Sequence, residues 1–127
     1  MSTTEDPARL RLGYRLDAGV ALVTVTGEID VESCGLLRDG LLRVVTDEND
    51  RCLVVNLSGV SFMDSTGLGV LVGVWRRLAA RRGSLALASP SGQVQRLLRT
   101  AGLTKILPVY DHEADALQAC QEPADGE

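Results

Sequence analysis

From Leu10 onward, apolar residues alternate with polar ones at Leu10, Leu12, Tyr14 and Leu16. A period of two is that of a half-buried β-strand. Asp17-Ala18-Gly19 supplies turn chemistry and residues 20–26 form a β-branched run, so a hairpin is expected. Gly27-Glu28-Ile29-Asp30 ends the second strand. Asp30 is placed as the N-cap of a helix with Glu32 in its first turn, because a side-chain oxygen and negative charge both suit a helix start. Leu37, Leu41 and Val44 recur at helical spacing, and Leu36 and Val45 widen the stripe before the polar loop Asp47-Glu48-Asn49-Asp50.

The next stretch, LVVNLSGVSFMDSTGLGVLVG over residues 53–73, organises the rest. An apolar strand is expected from Cys52 to Val55, breaking at Asn56-Leu57-Ser58-Gly59 and passing through Val60, Ser61, Phe62 and Met63. A helix then starts at Asp64-Ser65-Thr66-Gly67, runs to about residue 81, and is stopped by Gly83 as a C′ glycine. Residues 84–88 form a short strand. Ser89-Pro90-Ser91 opens a helix striped by Val94, Leu97, Leu98 and Ala101, which Gly102 closes. A last strand is expected at 106–109, and Asp111 is placed as the cap of a final helix through Leu117.

The predicted order is β-β-α-β-α-β-α-β-α. Right-handed crossovers make the later strands parallel, so the expected fold class is α/β, a small mixed β-sheet packed with about four helices. Ligands of such sheets gather beyond the carboxyl ends of the strands, the edge to which Asp30 and Asp64-Ser65-Thr66-Gly67 belong. The chain of 127 residues reads as a single domain over residues 9–120, with flexible tails at 1–8 and 121–127.

Composition narrows the function. An apolar fraction of 45% with only 3% aromatics implies a core of Leu, Val and Ala. The net charge of −4 argues against direct nucleic-acid binding. Arg76-Arg77 and Arg81-Arg82 read as solvated cations at the negative end of a helix. Cys34, Cys52 and Cys120 are odd in number and hold no CxxC pair, so no disulfide framework is expected, Cys52 reads as a small hydrophobe, and a reducing cytoplasm is the expected compartment. Residues 1–8 show no secretory signal, and no apolar run approaches the roughly 20 residues that span a bilayer.

Several chemistries are demoted. One histidine, His112, builds no metal site with the scattered cysteines. Ser65 follows a strand and opens a helix, but a nucleophile elbow needs Gly two residues either side, and Met63 takes one of those places. Gly67, Gly69 and Gly73 match neither the dinucleotide nor the P-loop pattern, and are better explained by close packing of the helix on the sheet or on another protein. The hydroxyls and carboxylate at Asp64-Ser65-Thr66 stand where orphan N–H groups and the helix dipole favour either an ordinary cap or an arriving anion.

The string Asp64-Ser65-Thr66-Gly67-Leu68-Gly69 after a β run, together with Gly27-Glu28-Ile29-Asp30 and the later Val94-Gln95-Arg96-Leu97-Leu98 and Ala101-Gly102-Leu103, resembles the STAS domain of bacterial anti-sigma factor antagonists, from Tyr14 to Leu117. The resemblance implies a regulatory binding protein rather than an enzyme. Its unphosphorylated form would bind an anti-sigma factor that is also a serine kinase, releasing the sigma factor to RNA polymerase. The kinase would phosphorylate Ser65, with Thr66 as the alternative acceptor, and a metal-dependent serine phosphatase would restore the active form. Nucleotide and metal belong to those partners, so no cofactor is carried onto this chain. The implied partner-binding set is Asp30, Asp64, Ser65, Thr66, Gly67, Leu68 and Gly69. STAS domains also serve transporters and signalling complexes without phosphorylation, which is the alternative reading.

Overall fold

A computed structural model describes residues 8–47 and 52–121. Among these the elements run β1 (Arg11–Asp17), β2 (Val20–Ile29), α1 (Cys34–Asp47), β3 (Cys52–Met63), α2 (Ser65–Ala79), β4 (Ser84–Ala88), α3 (Gly92–Thr100), a 3-10 turn at Leu103–Lys105, β5 (Val109–Tyr110) and α4 (Glu113–Gln121). The sheet order is β1-β2-β3-β4-β5, with β1 antiparallel to β2 and the other pairs parallel. This is the mixed α/β sheet expected from the element order. The expected tails lie outside the described residues except at their inner ends. There the Ala8 carbonyl accepts from the Glu28 N–H at 3.0 Å, and Gln121 closes α4.

Each parallel step moves one strand along in the same direction, so right-handed crossovers put α1, α2 and α3 on a single face. Leu37 and Leu41 of α1, Leu71 and Leu78 of α2, and Val94 and Leu98 of α3 build the main core there. The opposite face stays bare until the chain returns as α4. Ala116 and Leu117 then close a smaller cluster over Leu22, Val54 and Ala88. With both faces covered, β2 and the first half of β3 can be apolar almost without interruption. β1 is covered only at its start: Leu12 is half-buried, whereas Tyr14 and Leu16 are exposed.

Local boundaries differ from expectation where tertiary pairing overrides sequence signals. β3 does not break at Asn56-Leu57-Ser58-Gly59. Two bulges let it continue, as Thr24↔Asn56 becomes Thr26↔Gly59 and Gly27↔Val60 becomes Glu28↔Phe62. The Asn56 side chain accepts from the Ser58 N–H at 2.8 Å. A Cβ on Gly59 would meet Thr26 Cγ2 at 2.5 Å, so only glycine lets the strands approach. α1 starts at Cys34, after a turn headed by Asp30. At the end of α2 the left-handed residue is Arg82 (φ 63°) rather than Gly83, whose N–H instead reaches back to the Leu78 carbonyl at 2.6 Å. That is a Schellman closure with a non-glycine at C′. The last strand lies at Val109–Tyr110, because the 3-10 turn occupies the preceding chain and leaves Ile106 exposed. α4 extends past Leu117 to Gln121, and the Asp115 and Ala116 N–H groups of its first turn donate to the His112 carbonyl.

The cysteine reading is also corrected. Cys52 and Cys120 form a disulfide, with Cα atoms 5.9 Å apart and 68 residues between them in sequence, while Cys34 is free. The pair is brought together by α4 crossing the start of β3, which spacing alone could not reveal. The argument from unpaired cysteines to a reducing compartment loses its basis. At its other end α4 is held by polar contacts: Asn56 Nδ2 donates to Glu113 Oε1 at 2.5 Å, and Arg15 donates to Glu113 Oε2 at 3.1 Å.

Two stability outcomes are expected. Cross-linking over 68 residues removes unfolded-chain entropy worth about 4 kcal/mol, so Cys120→Ser should lower the urea midpoint substantially, and alkylation without reductant should label Cys34 alone. A midpoint matching that of the unreduced parent would contradict the bridge. Arg82→Gly should raise stability by about 0.5–1 kcal/mol in the same denaturation series, since glycine escapes the Cβ penalty of the left-handed region but frees the unfolded chain.

Candidate functional site

β2 and β3 run parallel and end side by side, Ile29 opposite Met63. The Asp64 N–H donates to the Ile29 carbonyl at 3.1 Å, extending the ladder one step past the strand. Asp30 and Asp64 therefore leave the sheet from neighbouring strand ends, each opening a turn towards a helix. This is the carboxyl edge where the sequence reading places them.

Asp64 is the N-cap of α2, in extended conformation (φ −107°, ψ −174°), and its carboxylate accepts from the Thr66 N–H at 2.9 Å. The same carboxylate oxygen accepts the Thr66 hydroxyl in a short hydrogen bond. The Gly67 N–H donates to the Asp64 carbonyl at 3.1 Å. Ser65 is the first residue of α2 and is exposed, and its hydroxyl makes no hydrogen bond among the described residues. The two candidate hydroxyls are thus in different states: Thr66 is committed to the cap, and Ser65 stands free at the positive end of the helix. α2 has no acidic residue in its first turn, so the dipole there is answered mainly by the Asp64 cap.

Gly67 is buried against the strand ends. A Cβ there would meet Met63 Cγ at 2.7 Å and Ile29 Cγ2 at 2.8 Å, so glycine lets the start of α2 sit directly on β2 and β3. Leu68 is 8% exposed and belongs to the main core. Gly69 is exposed, and a side chain at Gly69 or Gly73 would have its Cβ in open space. Packing on the sheet accounts for Gly67 and not for the other two, which line a groove of about 240 Å³ with Arg38 and Leu42 of α1. Of the residues singled out from the sequence, Asp30, Asp64, Ser65, Thr66 and Gly69 reach the surface, while Gly67 and Leu68 hold the helix from beneath.

Asp30 is fixed by a partner the sequence did not suggest. Its carboxylate accepts from the N–H groups of Glu32 and Ser33, each at 3.0 Å, and Ser33 Oγ bridges back by accepting from the Asp30 N–H at 3.0 Å and donating to the Glu28 carbonyl at 2.8 Å. Glu28, Asp30, Glu32 and Leu36 line an acidic groove of about 430 Å³ beside this turn, with Arg9 on its rim. Val31 and Phe62 flank the two aspartates in sequence and are 71% and 41% exposed. On the other side of β3, Gln93 of α3 bonds the backbone of Met63 twice, accepting from its N–H at 2.9 Å and donating to its carbonyl at 2.8 Å. No local signal marks Gln93, which stands in the sequence as one more polar residue at a helix start. Among the described residues no helix is long and apolar enough to cross a membrane.

A family model of the STAS domain matches residues 14–116. The chain is 34% identical over 99 residues to an anti-sigma F factor antagonist of Paenibacillus polymyxa, spanning 78% of this chain and 85% of that protein. It is 40% identical over 87 residues to an anti-sigma-B factor antagonist of Bacillus subtilis, spanning 68% and 78%. In structure it is similar to an anti-sigma factor antagonist from Mycobacterium paratuberculosis, with a TM-score of 0.85 at 29% identity over 94% of this chain and 100% of the other. The match reaches both ends of the sheet and includes the turn at Ser65, so the chain belongs to the STAS domain family.

Proposed function

We propose that this chain is an anti-sigma factor antagonist switched by phosphorylation of Ser65. Its unphosphorylated form binds an anti-sigma factor with serine kinase activity, which frees the sigma factor. The kinase then transfers the γ-phosphoryl group of ATP to Ser65 Oγ, and a metal-dependent serine phosphatase hydrolyses the ester. The chain acts as binding partner and substrate, not as an enzyme, and works in the cytoplasm with the transcription machinery. The relatives bearing this name support the reading across most of the chain.

The observation that carries the choice of acceptor is the contrast between the two hydroxyls. Ser65 is exposed with its hydroxyl uncommitted, whereas the Thr66 hydroxyl donates to Asp64. The contact set is Asp30, Asp64, Ser65, Thr66 and Gly69, with Gly67 and Leu68 supporting them. A phosphate on Ser65 adds about −1.5 to −2 charges beside Asp64. The orphan N–H groups and dipole of α2 favour that charge within this domain. A partner pocket that already holds nucleotide phosphates repels it, so the switch works at the interface without refolding this chain.

Incubation with the cognate kinase and ATP, followed by mass spectrometric mapping, should place one phosphate on Ser65. Ser65→Ala should abolish it, and Thr66→Val should retain Ser65 as acceptor. Phosphate found on Thr66 instead would overturn the assignment. In a binding titration, Ser65→Asp should lose about tenfold or more in affinity for the anti-sigma factor, the size of a partly screened charge repulsion. Equal affinities for Ser65→Asp and the parent would refute the repulsion mechanism.

A further inference from the structure

β3 outruns its neighbour. β4 pairs only with Cys52 through Asn56, so the later part of β3 has β2 on one side and no strand on the other. Successive residues of a strand direct their N–H and C=O groups to opposite neighbours. The Asp64 N–H goes to Ile29 in β2, so the polar pair of Met63 faces the vacant side. Its side chain is fully buried, and an unpaired backbone at that depth is costly.

Gln93 fills the place of the missing strand. Its primary amide carries one acceptor and donors in the arrangement of a peptide group, and it meets Met63 as a strand would, at 2.9 and 2.8 Å. Val94 and Leu98, both fully buried, anchor the helix that carries it. The backbone clamped in this way is the residue immediately before the Asp64 cap, and Ser65 follows the cap. α3 therefore bears on the turn through two hydrogen bonds to its last strand residue.

We propose that Gln93 is a positioning residue for the phosphoacceptor: it fixes the Met63–Asp64 backbone, hence the capping geometry of Asp64 and the presentation of the Ser65 hydroxyl. The effect on phosphorylation rests on Ser65 being the acceptor, whereas the effect on the turn does not.

The test uses the full chain with Gln93→Ala, Gln93→Glu and, as a control on the same helix, Gln95→Ala. Amide hydrogen exchange followed by NMR, on the protein alone, should be about tenfold faster at Met63 and Thr66 in Gln93→Ala, the size of one or two lost neutral hydrogen bonds. Exchange at Leu98 should be unchanged. Gln93→Glu keeps the acceptor for the Met63 N–H but when ionised has no donor for the carbonyl, and should fall between. In the kinase assay, Gln93→Ala should lower kcat for Ser65 about tenfold with KM within about twofold, the signature of a misplaced acceptor rather than of weakened binding. Gln95→Ala should leave both readouts at the parental value. Parental exchange at Met63 and Thr66 in Gln93→Ala overturns the proposal, as does faster exchange with an unchanged kcat, or acceleration that extends equally to Leu98. If the parent itself takes no phosphate on Ser65, the functional reading fails and the exchange arm alone decides whether Gln93 sets the turn.

Discussion

The hydrogen bond from the Asp64 N–H to the Ile29 carbonyl, at 3.1 Å, is the point on which the candidate site depends. It ends the β2–β3 ladder one residue beyond the strand and so fixes where α2 begins. Gly67 makes the same junction possible sterically, since any side chain there would collide with Met63 and Ile29. The helix is then held from behind by Leu71, Val74 and Leu78 in the main core. Strand end, cap and buried helix stripe form one packed unit, and Ser65 stands exposed at its edge.

This arrangement suits a residue that is acted upon rather than one that acts. The Asp64 carboxylate, which precedes Ser65 in the chain, is already occupied by the N–H and hydroxyl of Thr66. A capping carboxylate that is satisfied in this way stabilises the helix start and leaves the neighbouring hydroxyl to solvent. The groups around Ser65 are either exposed or locked into backbone bonds, so under the proposed phosphorylation the added charge would alter the surface and not the fold.

Much of this was legible in the chain. The alternation of short apolar runs with helical stripes carries the strand and helix order, and Asp64 through Gly67 stands out because a strand-like run meets a helix start there. What stayed hidden is non-local. Gln93 bonds Met63 across 30 residues and Glu113 bonds Asn56 across 57, and neither pair leaves a trace in periodicity. The Cys52–Cys120 pairing is invisible for the same reason. At Asn56–Gly59, turn-forming residues imitate a strand end, but cross-strand pairing with β2 carries the chain through as bulges. At Arg82 the sequence offers a glycine one position too late, and closure onto Leu78 sets the register instead.

The placement of α4 makes one face of the sheet dependent on a single helix. Three helices lie on one face of the sheet, each between strands in the chain. The other face is covered by α4, which follows all five strands in the chain. Without it Leu22, Val54 and Ala88 would present an apolar stripe to solvent, on a sheet whose opposite side is covered by the other three helices. The last helix is therefore a seal, drawn onto Asn56 at one end by Glu113 and fastened to the start of β3 at the other by Cys120. Covering of this face thus depends on an element that comes later in the chain than the turn that bears Ser65.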